Sequence, residues 1–146
     1  MTDAELIRQF EDASLPLDAF HHAEHVRVAF VYLRHHAATE AIARFTSALK
    51  RFAARHGKDG LYHETITWAY LLIVRERMAR SGRCETWAEF AAANPDLLRY
   101  KDDVLKKYYR DETLASEVAR ATFVFPDRCG GGDGQPAIAA VGWEGQ

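Results

Sequence analysis

The chain predicts an all-α fold, a single-domain bundle of about five to seven helices with a glycine-rich tail. Three observations carry that prediction. Apolar residues recur at helical spacing through most of the first 122 positions. Capping residues and glycine stops punctuate those stretches. No segment alternates apolar and polar residues for long enough to make a strand, and Phe123 to Phe125 is too short to carry a sheet. At 146 residues the chain suits one domain with one core.

Thr2 and Glu5 form a capping box, which predicts a first helix from Asp3 to about Ala13 with Leu6, Ile7 and Phe10 inward. Ser14, Pro16 and Asp18 break it. A second helix is expected from the region of Phe20 to Ala23 as far as about Ala37. His22, His25, Val26, Ala29, Leu33 and His36 fall on one of its faces. Thr39 is the expected N-cap of a third helix, which Gly57 stops after His56. A fourth runs from about Tyr62 to Ser81 and ends at Gly82, with His63, Thr67, Tyr70, Val74 and Met78 along one side. Thr86 and Glu89 open a short helix through Ala93. Asn94-Pro95 restarts the chain, predicting a helix from Asp96 to Tyr109, with a break near Tyr100, and a last one over Glu112 to Thr122. The bundle domain is therefore 1–127. Positions 128–146 hold six of the nine glycines and read as a flexible tail.

Composition excludes several classes. A formal net charge of −2 gives neither nucleic acid nor an anionic membrane the basic face it needs. The lysines between 101 and 110 are interleaved with acids, and no helix shows the basic recognition face of a helix-turn-helix protein. The longest apolar run, Ile66 to Val74, falls well short of the ~20 residues a membrane span requires. The acidic N-terminus is unlike a secretory signal, and Cys84 and Cys129 form no CxxC pair. Both point to a cytoplasmic protein with reduced thiols.

Chemistry concentrates in the histidines. His22 and His25 are three residues apart on a helix, so both rings lie on one side, within reach of a single ion. His63 opens another helix on its inward face. Three imidazoles plus water make an open coordination site for a divalent ion such as Zn, Fe, Ni or Mn. Helix N-termini and burial both disfavour imidazolium, and the neutral ring is the form that binds metal. Glu64, next to His63, is the expected base or fourth ligand. The alternative is architectural: the same histidines bond to Thr65, Thr67, Tyr70 or backbone as a satisfied polar patch. His36 and His56 read as helix-end cations, Arg77 as part of a solvated helix end, His35 as solvated and His21 as facing away from the stripe. Tyr32, Tyr62 and Tyr70 read as core aromatics, with hydroxyls for the histidine cluster as the alternative.

At these residues the chain resembles a group of uncharacterised all-helical bacterial proteins. Their pattern is F-x-H-x-x-H-x-x-x-A-x-x-Y-L followed by Y-H-E-T-[IL]-T. Here the first reads Phe20, His22, His25, Ala29, Tyr32 and Leu33, and the second Tyr62, His63, Glu64, Thr65, Ile66 and Thr67. Phe123-Val-Phe-Pro-Asp127 is similar to a later element of that group. The resemblance implies a shared site and no particular reaction. A looser, fold-level analogy is with DinB-like bundles, which hold three histidines around a divalent ion.

Two functions are thus expected. One is a metalloprotein acting as a metal-dependent hydrolase on a small-molecule ligand, with His22, His25 and His63 as metal ligands and Glu64 catalytic. The other is a helical binding or interaction module, without catalysis, in which the histidine patch is structural and a surface or homodimer seam carries the function.

Overall fold

A computed structural model of the protein describes residues 1–82 and 86–128. It is all-α, and among the described residues no strand occurs. The helices are α1 (Asp3–Glu11), α2 (His22–His35), α3 (Ala38–Arg55), α4 (Glu64–Arg80), α5 (Trp87–Ala93), α6 (Asp111–Leu114) and α7 (Glu117–Ala121). Short 3₁₀ turns cover Leu17–Ala19, Asp59–Leu61, Pro95–Leu98 and Val104–Lys107. No described helix is long and apolar enough to cross a membrane.

The N-terminal half follows its local signals. Thr2 Oγ1 accepts from the Glu5 N–H at 3.1 Å, and the Glu5 carboxylate accepts from the Thr2 N–H at 2.8 Å. Gly57 and Gly82 follow α3 and α4 with φ of +67° and +72°, the left-handed conformation that ends a helix without steric cost in glycine. α3 begins at Ala38, one residue ahead of the expected cap at Thr39. α4 begins at Glu64, which makes His63 its N-cap instead of a helical residue.

α2 is the central strut. Val26 and every residue from Val28 to Leu33 are buried on it, so it is covered on most sides. It packs against α1, α3, α4, α5 and the 95–98 turn. Phe10 fills the space between α1, α2 and α3, its ring centroid 4.9 Å from that of Phe20, 5.7 Å from Phe45 and 5.9 Å from Phe52. Phe30 on the opposite side meets Phe90 at 4.9 Å. Tyr32 is buried between α1 and α2, where its hydroxyl donates to Glu11 at 2.6 Å, away from the histidines at the start of α2.

The C-terminal half departs from expectation. The long helix predicted from Asp96 is replaced by two 3₁₀ turns and an intervening loop. Asp102 has φ +52°, and the Asp103 side chain accepts from the Leu105 N–H, so local polar bonds outcompete helix propagation there. The final predicted helix divides into α6 and α7 where Ser116 caps α7. These short pieces are held by α4. Thr65 Oγ1 donates to the Thr122 carbonyl and accepts from the Val124 N–H. Arg77 is not a solvated helix end: it grips both Asp96 carboxylate oxygens, at 3.0 and 2.7 Å, and Asn94 Oδ1 at 3.0 Å. That pairing holds the Asp96 carboxyl below its ordinary range. Arg77→Ala should lower stability by about 1–2 kcal/mol, because the pair is largely but not fully sheltered. The check is the urea midpoint, with loss of amide protection concentrated in residues 95–98.

Arg128, assigned to the tail by composition, is anchored by hydrogen bonds to the carbonyls of Tyr108 and Lys106. The rest of the predicted tail, and both cysteines, lie outside the described residues.

Candidate functional site

A cavity of about 930 Å³ lies between the start of α2, the second half of α3 and the first half of α4. Its wall is mainly aromatic and aliphatic, with Phe20, Phe45, Phe52, Leu49, Ile66 and Leu71 among the lining side chains. His22, His25 and His63 all border it, as do Tyr62, Thr67 and Tyr70. Leu17, Leu61 and Tyr100 also border it and are themselves exposed, at 42%, 69% and 80%, which places them at a mouth open to solvent.

The three histidines differ in what their nitrogens do. His63, as the N-cap of α4, uses Nδ1 to accept the Ile66 N–H at 3.1 Å. Its Nε2 is 2.7 Å from the Leu114 carbonyl, to which it can only donate. Both nitrogens are therefore engaged, and the ring is fixed as the Nε2–H tautomer. His22 places Nε2 2.9 Å from the Leu97 carbonyl, so that atom carries the proton and Nδ1 is left as an acceptor. Its ring meets Tyr70 edge-on, with centroids 5.0 Å apart.

His25 has no hydrogen-bond partner among the described residues. Its ring stacks on Phe20 at 4.0 Å with a 27° tilt. One part of it opens to the cavity while protein surrounds the remainder. Burial, reinforced by the neighbouring His22, pushes its pKa down to about 4. The ring is uncharged at neutral pH.

Glu64 does not border the cavity. It occupies the first position of α4, where its charge suits the helix dipole, and its carboxylate accepts the Tyr62 hydroxyl proton. Burial and that carboxylate both raise the Tyr62 pKa. Of the four residues expected to form one site, the fold brings three rings to one cavity and leaves the carboxylate behind its wall. Among the described residues, no group of three His, Cys, Asp or Glu side chains is arranged to hold a metal ion.

Sequence reasoning allowed backbone partners for these histidines but did not name the carbonyls of Leu97 and Leu114. A backbone acceptor leaves no mark in the residue pattern, so no signal could have found them. The aromatic wall was legible as apolar stripes on α2, α3 and α4, but not as the lining of a space. His56, read as a helix-end cation, instead sets Nε2 3.1 Å from the Leu15 carbonyl and locks the loop after α1.

Comparison of the chain with protein-family models, with curated proteins and with solved structures finds no match.

Proposed function

We propose that the protein is a helical binding module whose cavity takes a small, mainly apolar molecule. The observation that carries this reading is a roomy aromatic-walled cavity with an uncharged imidazole in its wall, His25, which has no hydrogen-bond partner among the described residues. Ligand sites combine such an apolar lining with a few placed polar groups. The half-buried His25 ring offers one donor and one acceptor to a molecule bound in the cavity. The reading favours binding over acid–base catalysis, because a general base works best with a pKa near the working pH, and His25 is far below it.

The test is a titration of isotope-labelled protein with small aromatic compounds, followed by amide and methyl shifts. Saturable changes confined to Ala29, Leu49, Ile66 and their neighbours are expected. A bulky Ala29→Trp variant should lose them. Shifts that are absent, or that survive in that variant, would refute a cavity ligand.

A divalent ion on His22 and His25 is the second reading, favoured by two imidazoles side by side in one wall. Bound there, an ion would supply Lewis-acid activation of water. The fit is incomplete. His63 offers no free lone pair and Glu64 is turned to Tyr62, so the protein contributes two ligands where open zinc sites use three. Calorimetric titration with zinc or nickel separates the readings. Stoichiometric uptake by the wild type that disappears in His25→Ala would install the ion in place of the organic ligand.

A further inference from the structure

We propose that the loop 99–103 is a lid for the cavity, and that Tyr100 turns from solvent onto the bound molecule. The inference rests on the cavity-ligand reading and adds how that site closes. Three of the seven large apolar side chains exposed among the described residues, Leu17, Leu61 and Tyr100, border this one opening. They belong to three segments distant in sequence, so their gathering at one rim is a product of the fold. Apolar surface concentrated in water marks a place where something packs. Tyr100 is the most exposed of the three.

The loop that carries it runs between two fastened ends. On the near side, Arg77 holds Asp96, His22 holds the Leu97 carbonyl, and Leu98 is part of the cavity wall. On the far side, the Asp103 carboxylate accepts the Leu105 N–H, and Val104 and Leu105 are buried. Between them, Tyr100, Lys101 and Asp102 make no hydrogen bond, ring contact or ion pair with the described residues. Asp102, at φ +52°, already turns the chain there. Swinging such a loop breaks no bond of residues 100–102, and lids are drawn from segments of this low local stability. Tyr100 lies two residues beyond Leu98, so rotation of the backbone at Arg99 moves its ring and leaves the wall in place. Tyrosine suits the task, because its ring can cover apolar surface while its hydroxyl stays in water. A molecule in the cavity supplies the surface to be covered. Contacts made only in the closed arrangement then shift the loop toward it.

The experiment measures binding of para-butylphenol by calorimetry and follows Tyr100 by NMR of protein labelled on its tyrosine rings. The Tyr100 signals are assigned by their loss in Tyr100→Phe. At saturation the Tyr100 ring should show cross-relaxation with the probe's protons. Tyr100→Ala should bind about tenfold more weakly, chiefly through faster dissociation. Tyr100→Phe should bind like the wild type. Phe125→Ala removes an aromatic of similar exposure, 83%, that does not border the cavity, and it too should bind like the wild type. Tyr100 is 80% exposed, so Tyr100→Ala should keep the urea midpoint of the wild type, which separates a binding defect from a folding one. A Tyr100 ring without contact to the probe at saturation would overturn the lid. So would wild-type affinity in Tyr100→Ala, or an equal loss in Phe125→Ala. Each of those results leaves the cavity reading standing. Absence of binding in every protein would remove both.

Discussion

Replacing His63 by alanine is expected to destabilise the fold by about 3 kcal/mol. The ring performs two structural tasks at once. Nδ1 caps α4 by accepting the Ile66 N–H, and loss of a helix N-cap costs about 1 kcal/mol. Nε2–H satisfies the Leu114 carbonyl from 51 residues away in sequence, tying α6 to the start of α4. Leaving that carbonyl without a partner in a sheltered place costs about 1–3 kcal/mol more. His63 is 8% exposed, so water cannot easily substitute. His63→Asn is the control. Asparagine caps helices well but is too short to reach Leu114, so it should recover about 1 kcal/mol and no more. Urea denaturation of the three proteins is the measurement. A loss well under 1 kcal/mol in His63→Ala would show that the ring is not a fastening and would return it to the list of groups free to bind an ion.

The second large effect is in the pH dependence of stability. His25 titrates at about 4 in the folded protein against an ordinary 6.5. Below 6.5 the unfolded chain takes up a proton that the folded chain refuses, so stability falls as the pH falls. The loss begins near 6.5, deepens down to about 4 and then levels off, because both states are protonated below that. Its full extent is about 3 kcal/mol. Above 6.5 the ring makes no contribution to the slope. Carboxylates that are stabilised in the folded state, such as Asp96 beside Arg77, also weaken the protein in acid. A His25→Phe variant separates the two, since it keeps those carboxylates and a ring against Phe20. The stability of the variant relative to the wild type should rise by about 3 kcal/mol between pH 7 and pH 4. Parallel curves for the two proteins would mean that the ring is solvated and titrates normally.

Both predictions concern residues that the sequence brought forward for a different reason. The spacing of His22 and His25 and the leading position of His63 marked them as a convergent set. The fold does bring them to one cavity. What they do there differs ring by ring, and that difference is set by hydrogen-bond partners far along the chain: Leu97 for His22, Leu114 for His63, and none among the described residues for His25.

What the amino-acid order determined unaided was the local and periodic part of the structure. Thr2 with Glu5, Gly57 and Gly82 mark helix ends through bonds or backbone angles spanning a few residues, so they act the same way in any fold. The apolar stripes on α1 to α4 fixed the all-α class for the same reason. The tertiary structure alone decided the rest. Asp103 overrode helix periodicity after Leu98, because one side-chain bond to the Leu105 N–H gave the backbone an alternative of similar energy. Arg77 found Asp96 across a turn that no heptad or capping rule connects to α4. Whether an imidazole at the cavity ends with both nitrogens engaged, one, or neither depends on which carbonyl happens to arrive beside it. Carbonyls are common to every residue, so their identity is invisible until the chain has folded.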